Sequence, residues 1–167
     1  CGPVVYTFGT AEQKKKYLPD LASGKKVGAF ALSEPGAGSD AAAIKTSATR
    51  SNGHFVLDGV KTWISNAPEA SVFVTLANSD ISKKHRGIEA LIVEADTEGI
   101  SVNQLHGKMG VRASTVGEIV FENVLVPSAN RMGDDEQGFK QTMEVLNASR
   151  ISIGAQCVGI AQASLEA

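Results

Sequence analysis

Apolar residues recur along the chain with two periods, helical and alternating, in three successive stretches. The opening stretch has helical spacing. Thr10-Ala11-Glu12-Gln13 fits a capping box, in which the Thr10 hydroxyl and the Gln13 side chain satisfy orphan backbone donors reciprocally. Pro19 interrupts the pattern, and Gly24 closes a short second segment over Asp20–Ser23. Lys14, Lys15 and Lys16 read as a solvated face of this helix. From Val27 the signals become those of strands: Val27–Leu32, Ile44–Arg50, His54–Leu57, Val60–Ser65, Val72–Ala77, Ile88–Val93, Ile100–Leu105 and Glu118–Val126. Asn52-Gly53 is a strong hairpin turn, and Asp58-Gly59 reads as a second one. Beyond Pro127 and the polar loop Gly133–Gly138, residues Phe139, Met143, Leu146, Arg150, Ile153, Cys157 and Ile160 recur at spacings of three and four. That is a sustained helical stripe. The order is therefore helix, strands, helix, and the strands predict an antiparallel barrel or sandwich.

Composition narrows the picture. The 167 residues suffice for one domain with a core, and 43% hydrophobic against 20% charged residues excludes disordered and collagen-like classes. A net charge of −2 argues against a dedicated nucleic-acid binder. No apolar run approaches the roughly 18 residues of a membrane span. Cys1 and Cys157 have no partner spacing, and His54, His85 and His106 are isolated, so no disulfide framework or zinc site is expected. The chain opens on Cys1 and its last helix has no terminal cap, so it reads as cut from something longer.

Three features carry candidate chemistry. Gly36-Ala37-Gly38-Ser39-Asp40-Ala41 matches a dinucleotide fingerprint, with Asp58 about twenty residues on. The hairpin series that follows is incompatible with the alternating strands and helices of a Rossmann fold, which is rejected. A flexible turn or a backbone-amide nest for an anion remain the two readings of this loop. Trp63, the single tryptophan, stands in Lys61-Thr62-Trp63-Ile64-Ser65-Asn66; it is a core aromatic or a platform for a flat heterocycle. Arg150 is the one charged residue on the helical stripe, either snorkelling from the edge or holding a buried partner.

Phe30 to Asp40 resembles the flavin-binding signature of acyl-CoA dehydrogenases, and the resemblance continues along nearly the whole chain. Gly9–Lys14 and Pro19 are similar to that family's approach to its middle domain. Trp63-Ile64-Ser65-Asn66 resembles its second flavin motif. Lys108-Met109-Gly110, Arg112, Ser114, Val120–Asn123 and Pro127 resemble its later barrel strands, and Gly138-Phe139 and Arg150 the start of its C-terminal bundle. Ser65–Ser71 and Arg150–Gln162 look most like the short-chain, butyryl-CoA members.

The resemblance implies a mainly β fold, an antiparallel β-barrel middle domain over residues 26–133. It would be flanked by the end of an N-terminal helical domain (1–25) and the start of a C-terminal bundle (134–167). It implies FAD lined by Phe30, Ala31, Leu32, Ser33, Glu34, Pro35, Gly36, Ala37, Gly38 and Ser39. Leu32 and Ser33 would lie toward the pyrimidine edge, and Ser39 near cofactor phosphate and substrate. Trp63, Ile64 and Ser65 would meet the isoalloxazine, with Ser65 near N5. Gly138, Phe139, Asn147, Ala148, Ser149 and Arg150 would serve the acyl-CoA substrate, with Ser39. The implied reaction is α,β-desaturation of an acyl-CoA thioester: a carboxylate takes the α-proton while a β-hydride passes to the flavin. Electrons then pass to electron-transfer flavoprotein.

The family's base is expected beyond residue 167. A minority of members carry a Glu directly before the arginine, where this chain has Ser149, and Asn147 stands where Asp is common. A homotetramer in the mitochondrial matrix or bacterial cytoplasm is also implied. An acyl-CoA oxidase-like flavoenzyme and a non-catalytic barrel module are the alternatives.

Overall fold

The computed structural model describes all 167 residues. Helices α1 (Gly2–Phe8) and α2 (Ala11–Ala22) lead into β1 (Gly28–Ala31), β2 (Ser47–Ser51), β3 (His54–Ser65), β4 (Val72–Asn78), β5 (Ile88–Glu94), β6 (Ile100–Gln104) and β7 (Val116–Pro127). A long helix α3 (Gly138–Glu166) ends the chain. The strands form one sheet in the order β1-β4-β2-β3-β7-β6, with β5 added to β4.

The apolar runs of β4 and β5 explain where the core sits. Every residue of β4 is buried, because each face of this strand meets a different layer. Phe73, Ala77, Leu91 and Val93 belong to a 15-residue cluster inside the barrel, with Phe55, Leu57, Ile119, Phe121, Val124 and Val126 of β3 and β7. The alternate residues Val72, Val74, Leu76, Ile88, Ala90 and Ile92 belong to a second cluster, closed from the other side by Val4, Val5 and Tyr17 of the two N-terminal helices. The period of two thus divides β4 and β5 between barrel and helical layer.

The barrel expected to be antiparallel is mixed. β1 runs parallel to β4 from Gly28↔Val72 to Ala31↔Thr75, and β2 touches β4 in parallel at Ser47↔Asn78. The hairpin β2–β3 is inserted between β1 and β4, and the chain returns through a 3₁₀ turn (Ala67–Glu69) to start β4 in the direction of β1. Local turn chemistry shows the hairpin but not this nonlocal pairing. After the glycine-rich loop there is a 3₁₀ turn over Ala41–Ala43 and no α-helix, so the fingerprint there is not a Rossmann element.

Asn52-Gly53 makes the β2–β3 hairpin, with Ser51 opposite His54. Asp58-Gly59 is not a second turn. β3 runs straight through it, and the irregularity is a bulge in the facing strand, where Asn123 takes φ 52° and donates its N–H to the Asp58 carboxylate at 2.7 Å. Gly59 itself is required there: at φ 146° a Cβ would stand 2.7 Å from Thr46. The expected break at Pro19 is absent too. Pro19 stands in the last turn of α2, where it forgoes the one bond to the Lys15 carbonyl, and Ser23 N–H still reaches the Pro19 carbonyl at 3.0 Å.

The helical layer is fastened by polar contacts. The capping box forms as expected, and its Gln13 does more than cap: buried at 5% exposure, it also donates to the Ala129 and Arg131 carbonyls at 2.8 and 2.9 Å. Lys16 leaves the solvated face to pair with Glu94 of β5. Arg50 reaches the buried Glu89 at 2.7 Å and also Asp135, which pairs with Arg131, while Lys83 holds Glu136 at 2.8 Å. These pairs pin the 134–136 linker to the barrel.

Gln13→Ala removes two half-buried bonds to backbone carbonyls and half of the cap, and is expected to cost about 2–3 kcal/mol in urea denaturation. Lys15→Ala, on the exposed face, should change stability by less than about 0.5 kcal/mol.

Candidate functional site

Two segments meet at the end of β3. Thr62 N–H donates to the Ser33 carbonyl at 2.9 Å. The Lys61 ammonium donates to the Leu32 carbonyl at 3.1 Å and to the Glu34 carboxylate at 2.7 Å. Glu34 also accepts the amides of Lys45 and Thr46, at 2.6 and 3.0 Å. Its carboxylate is spent inside the protein. Lys61 is wholly buried, paired in register with Ile119, and faces the same interior as Phe55 and Leu57.

The electrostatics of this pair follow from that burial. Desolvation pushes the Lys61 ammonium down to about 8, against the pull of Glu34. Burial raises the Glu34 carboxyl, but the Lys61 charge and the hydrogen bonds outweigh it and leave it below its ordinary value. The two shifts disagree about the pair's worth: the carboxylate gains from it, while the ammonium loses more to burial than it recovers. Both directions leave the pair ionised at neutral pH.

Immediately after Lys61 the ladder slips. β3 spends three residues to reach Ile64 while β7 spends two to reach Gly117, and the surplus residue, Trp63, takes φ 59°. Trp63 is thereby thrown outward at 67% exposure, whereas Ile64 turns into the barrel core at 2%. Only the backbone of Ile64 is free to meet a ligand. Ser65 is exposed beside it. Across from this edge the amides of Ser33, Gly36, Gly38 and Ser39 form no backbone hydrogen bond. Pro35, Gly36, Gly38 and Ser39 are exposed, while Ala31 and Ala37 are buried. An exposed aromatic plane, a hydroxyl and unspent amides form a donor set that fits a flat heterocycle carrying carbonyls and phosphates. The segments 30–39 and 63–65 are thus brought together.

The remaining candidates lie on α3. Gly138 is held tight against β5, with room for no side chain: a Cβ would come 2.5 Å from the Ile88 carbonyl. Phe139 meets the His85 ring at 5.5 Å with the two planes tilted by 53°, and packs, with Val145, Phe30 and Leu32, against the helix-side cluster. Asn147, Ala148, Ser149 and Arg150 are exposed; Arg150 donates to the Asn147 side chain and Ser149 to the Leu146 carbonyl at 2.8 Å. Arg150 therefore has no buried partner.

Ala148 and Ser149 do line a cleft of about 400 Å³ between α3 and α1, together with Pro3, Phe8, Glu144 and Val145. The α1 residues and Glu144 escaped the sequence reading because nothing in the sequence pairs α1 with α3. Lys61 escaped it as well. Its signal was its parity with Phe55 and Leu57, hidden by reading Asp58-Gly59 as a turn.

Lys61→Met, which leaves Glu34 buried and unpaired, is expected to cost about 3–5 kcal/mol, and Glu34→Gln/Lys61→Met distinctly less, as a denaturation double-mutant cycle will show. Glu34, with its folded value lowered from 4.5, contributes stability that is present above about pH 4.5 and lost as pH falls through that lowered value. Lys61 has the opposite consequence. Between about 8 and 10.5 the unfolded chain holds the proton that the folded one has released, so this group adds stability as pH rises. Urea midpoints against pH should fall on the acid side through this pair and not on the alkaline side.

Comparison with known proteins bears on this site. Residues 29–124 match the acyl-CoA dehydrogenase middle domain, and residues 1–25 match the N-terminal domain of the same family. Mouse mitochondrial short-chain specific acyl-CoA dehydrogenase is 42% identical over 99% of this chain and 40% of its own length. An acryloyl-CoA reductase (NADH) from Anaerotignum propionicum is 44% identical over 97% of this chain and 42% of its own. Butyryl-CoA dehydrogenase from Megasphaera elsdenii superposes with a TM-score of 0.92 at 40% identity, over 97% of this chain and 43% of that one. The chain thus spans about two-fifths of the length of these relatives, which include mitochondrial and bacterial enzymes. With its mixed half-barrel, its helical flanks and these matches, the chain belongs to the acyl-CoA dehydrogenase family, whose members are flavoprotein oxidoreductases.

Proposed function

We propose that these residues form the flavin-facing barrel of an FAD-dependent dehydrogenase that desaturates short-chain acyl-CoA thioesters at the α,β-bond. The observation that carries this is Trp63, the one tryptophan, bulged out of its strand beside the unspent amides of Ser33, Gly36, Gly38 and Ser39. Trp63 would stack on the isoalloxazine, Ser65 and the Ile64 backbone would meet its edge, and the amides of Gly36, Gly38 and Ser39 would receive its phosphates. Bound FAD would supply the hydride acceptor.

The acyl-CoA would lie along α3, with Ala148 and Ser149 on the wall of the α1–α3 cleft and Arg150 and Asn147 toward its polar end. Phe139 would back this surface, and Gly138 would let it approach β5 closely.

The α-proton base is assigned outside these 167 residues, because Ser149, directly before Arg150, carries no carboxylate. Glu144 is the competing candidate, as the one carboxylate on the cleft wall. Electron-transfer flavoprotein as electron acceptor, a homotetrameric full-length protein, and a mitochondrial-matrix or bacterial-cytoplasmic location complete this reading. Support for short-chain specificity comes from relatives named for short-chain and butyryl-CoA substrates.

Added FAD is expected to quench the single tryptophan's emission and to co-elute with the chain, and Trp63→Ala to weaken FAD binding about tenfold. A chain that remains colourless with unchanged emission overturns the proposal. Reconstituted with FAD and an electron acceptor, the 167 residues should not oxidise butyryl-CoA. Turnover that is abolished by Glu144→Gln would instead move the base into the chain.

A further inference from the structure

Lys61 is the one buried cation, and the proposed chemistry does not use it. It faces a barrel interior otherwise built of Phe55, Leu57, Ile119 and Phe121, where an apolar side chain would be the default occupant. Its contacts are also specific. Of the acceptors it reaches, one is the Leu32 carbonyl and the other is Glu34, both in the loop that supplies the unspent amides. Lys61 itself stands two residues before Trp63, at the last regular position of β3 before the bulge. The backbone bond from Thr62 to Ser33 lies between them. Glu34 then carries the connection onward to the amides of Lys45 and Thr46 at the start of the β2 hairpin.

We infer that Lys61 is a positioning residue of the proposed flavin site: through Glu34 and the Leu32 carbonyl it sets the spacing between the aromatic plane at Trp63 and the amide donors of residues 33–39. The inference rests on the FAD reading above. It assigns Glu34 a role through its carboxylate's grip on Lys61, not through contact with the cofactor. The hold falls where the turn begins: the carbonyl stands two residues before the turn that Glu34 and Ala37 close on each other's backbone, and the carboxylate belongs to its first residue. Without the ammonium, the loop is left with one backbone bond to β3 at this edge.

The test uses the 167-residue chain with FAD and four variants: Glu34→Gln/Lys61→Met, Lys61→Met, Lys61→Arg and Glu89→Gln. The last disturbs another buried carboxylate, bonded to Arg50 at the opposite end of the hairpin strand. The double variant is expected to fold, by circular dichroism, yet to bind FAD about ten- to a hundredfold more weakly and to shift the bands of the bound flavin. The bonded amides of Glu34, Ala37 and Thr62 should exchange faster in it, while those of β4 and β5 stay protected. Lys61→Arg should recover part of the affinity lost in Lys61→Met. Glu89→Gln should lower the melting temperature and leave FAD affinity and band shape alone. Wild-type affinity, bands and exchange in the double variant overturn the inference. So does an affinity loss that merely follows melting temperature, as in Glu89→Gln. Wild-type chain that takes up no FAD overturns the function proposed above; unchanged exchange at Glu34, Ala37 and Thr62 in the double variant overturns the spacing role by itself.

Discussion

An ammonium with no access to water is tolerated only where its charge is matched and its donors are occupied. That constraint, at Lys61, organises the edge of the barrel. Glu34 can match the charge only if the chain leaving β1 folds back over β3, and the Leu32 carbonyl can accept only if the turn begins where it does. The same carboxylate takes the amides of Lys45 and Thr46, so the hairpin strand β2 starts in fixed relation to both. One ion pair therefore coordinates three separate stretches of sequence. It does so at an electrostatic cost to the lysine, which makes it a device for geometry more than for stability.

The second organising feature is the double burial of β4 and β5. The barrel and the helical layer share these two strands as a common wall. Phe30, Leu32 and Phe139, expected from sequence to serve different ligands, pack on the same side of that wall. The two halves of the candidate site are therefore mounted on one rigid support.

Much of the fold was legible in the chain, and the failures have a shared cause. The capping box at Thr10, the Asn52-Gly53 hairpin and the start of the last helix are local, and local chemistry shows them. The parallel pairing of β1 with β4 is set by residues more than forty positions apart, and no turn signal reports it. Asp58-Gly59 has the letters of a hairpin because both a turn and a close approach ask for glycine; here the demand comes from Thr46. At the site, the glycine-rich loop and Trp63 announced themselves by composition. Glu34 belongs to that loop, but its side chain turns inward to a partner that a charged residue in a strand does not advertise. The cleft between α1 and α3 depends on tertiary packing alone.

The bulge at Trp63 has one more consequence. The ladder on either side would close without this residue: Lys61 would still face inward, and so would Ile64. Trp63 is thus surplus to the barrel, and its backbone at φ 59° suits glycine or asparagine better, by about 1–2 kcal/mol. Drift toward stability alone would erase it. A tryptophan in a backbone conformation that suits glycine better marks the position where the barrel's own folding interest and the needs of the proposed ring part company.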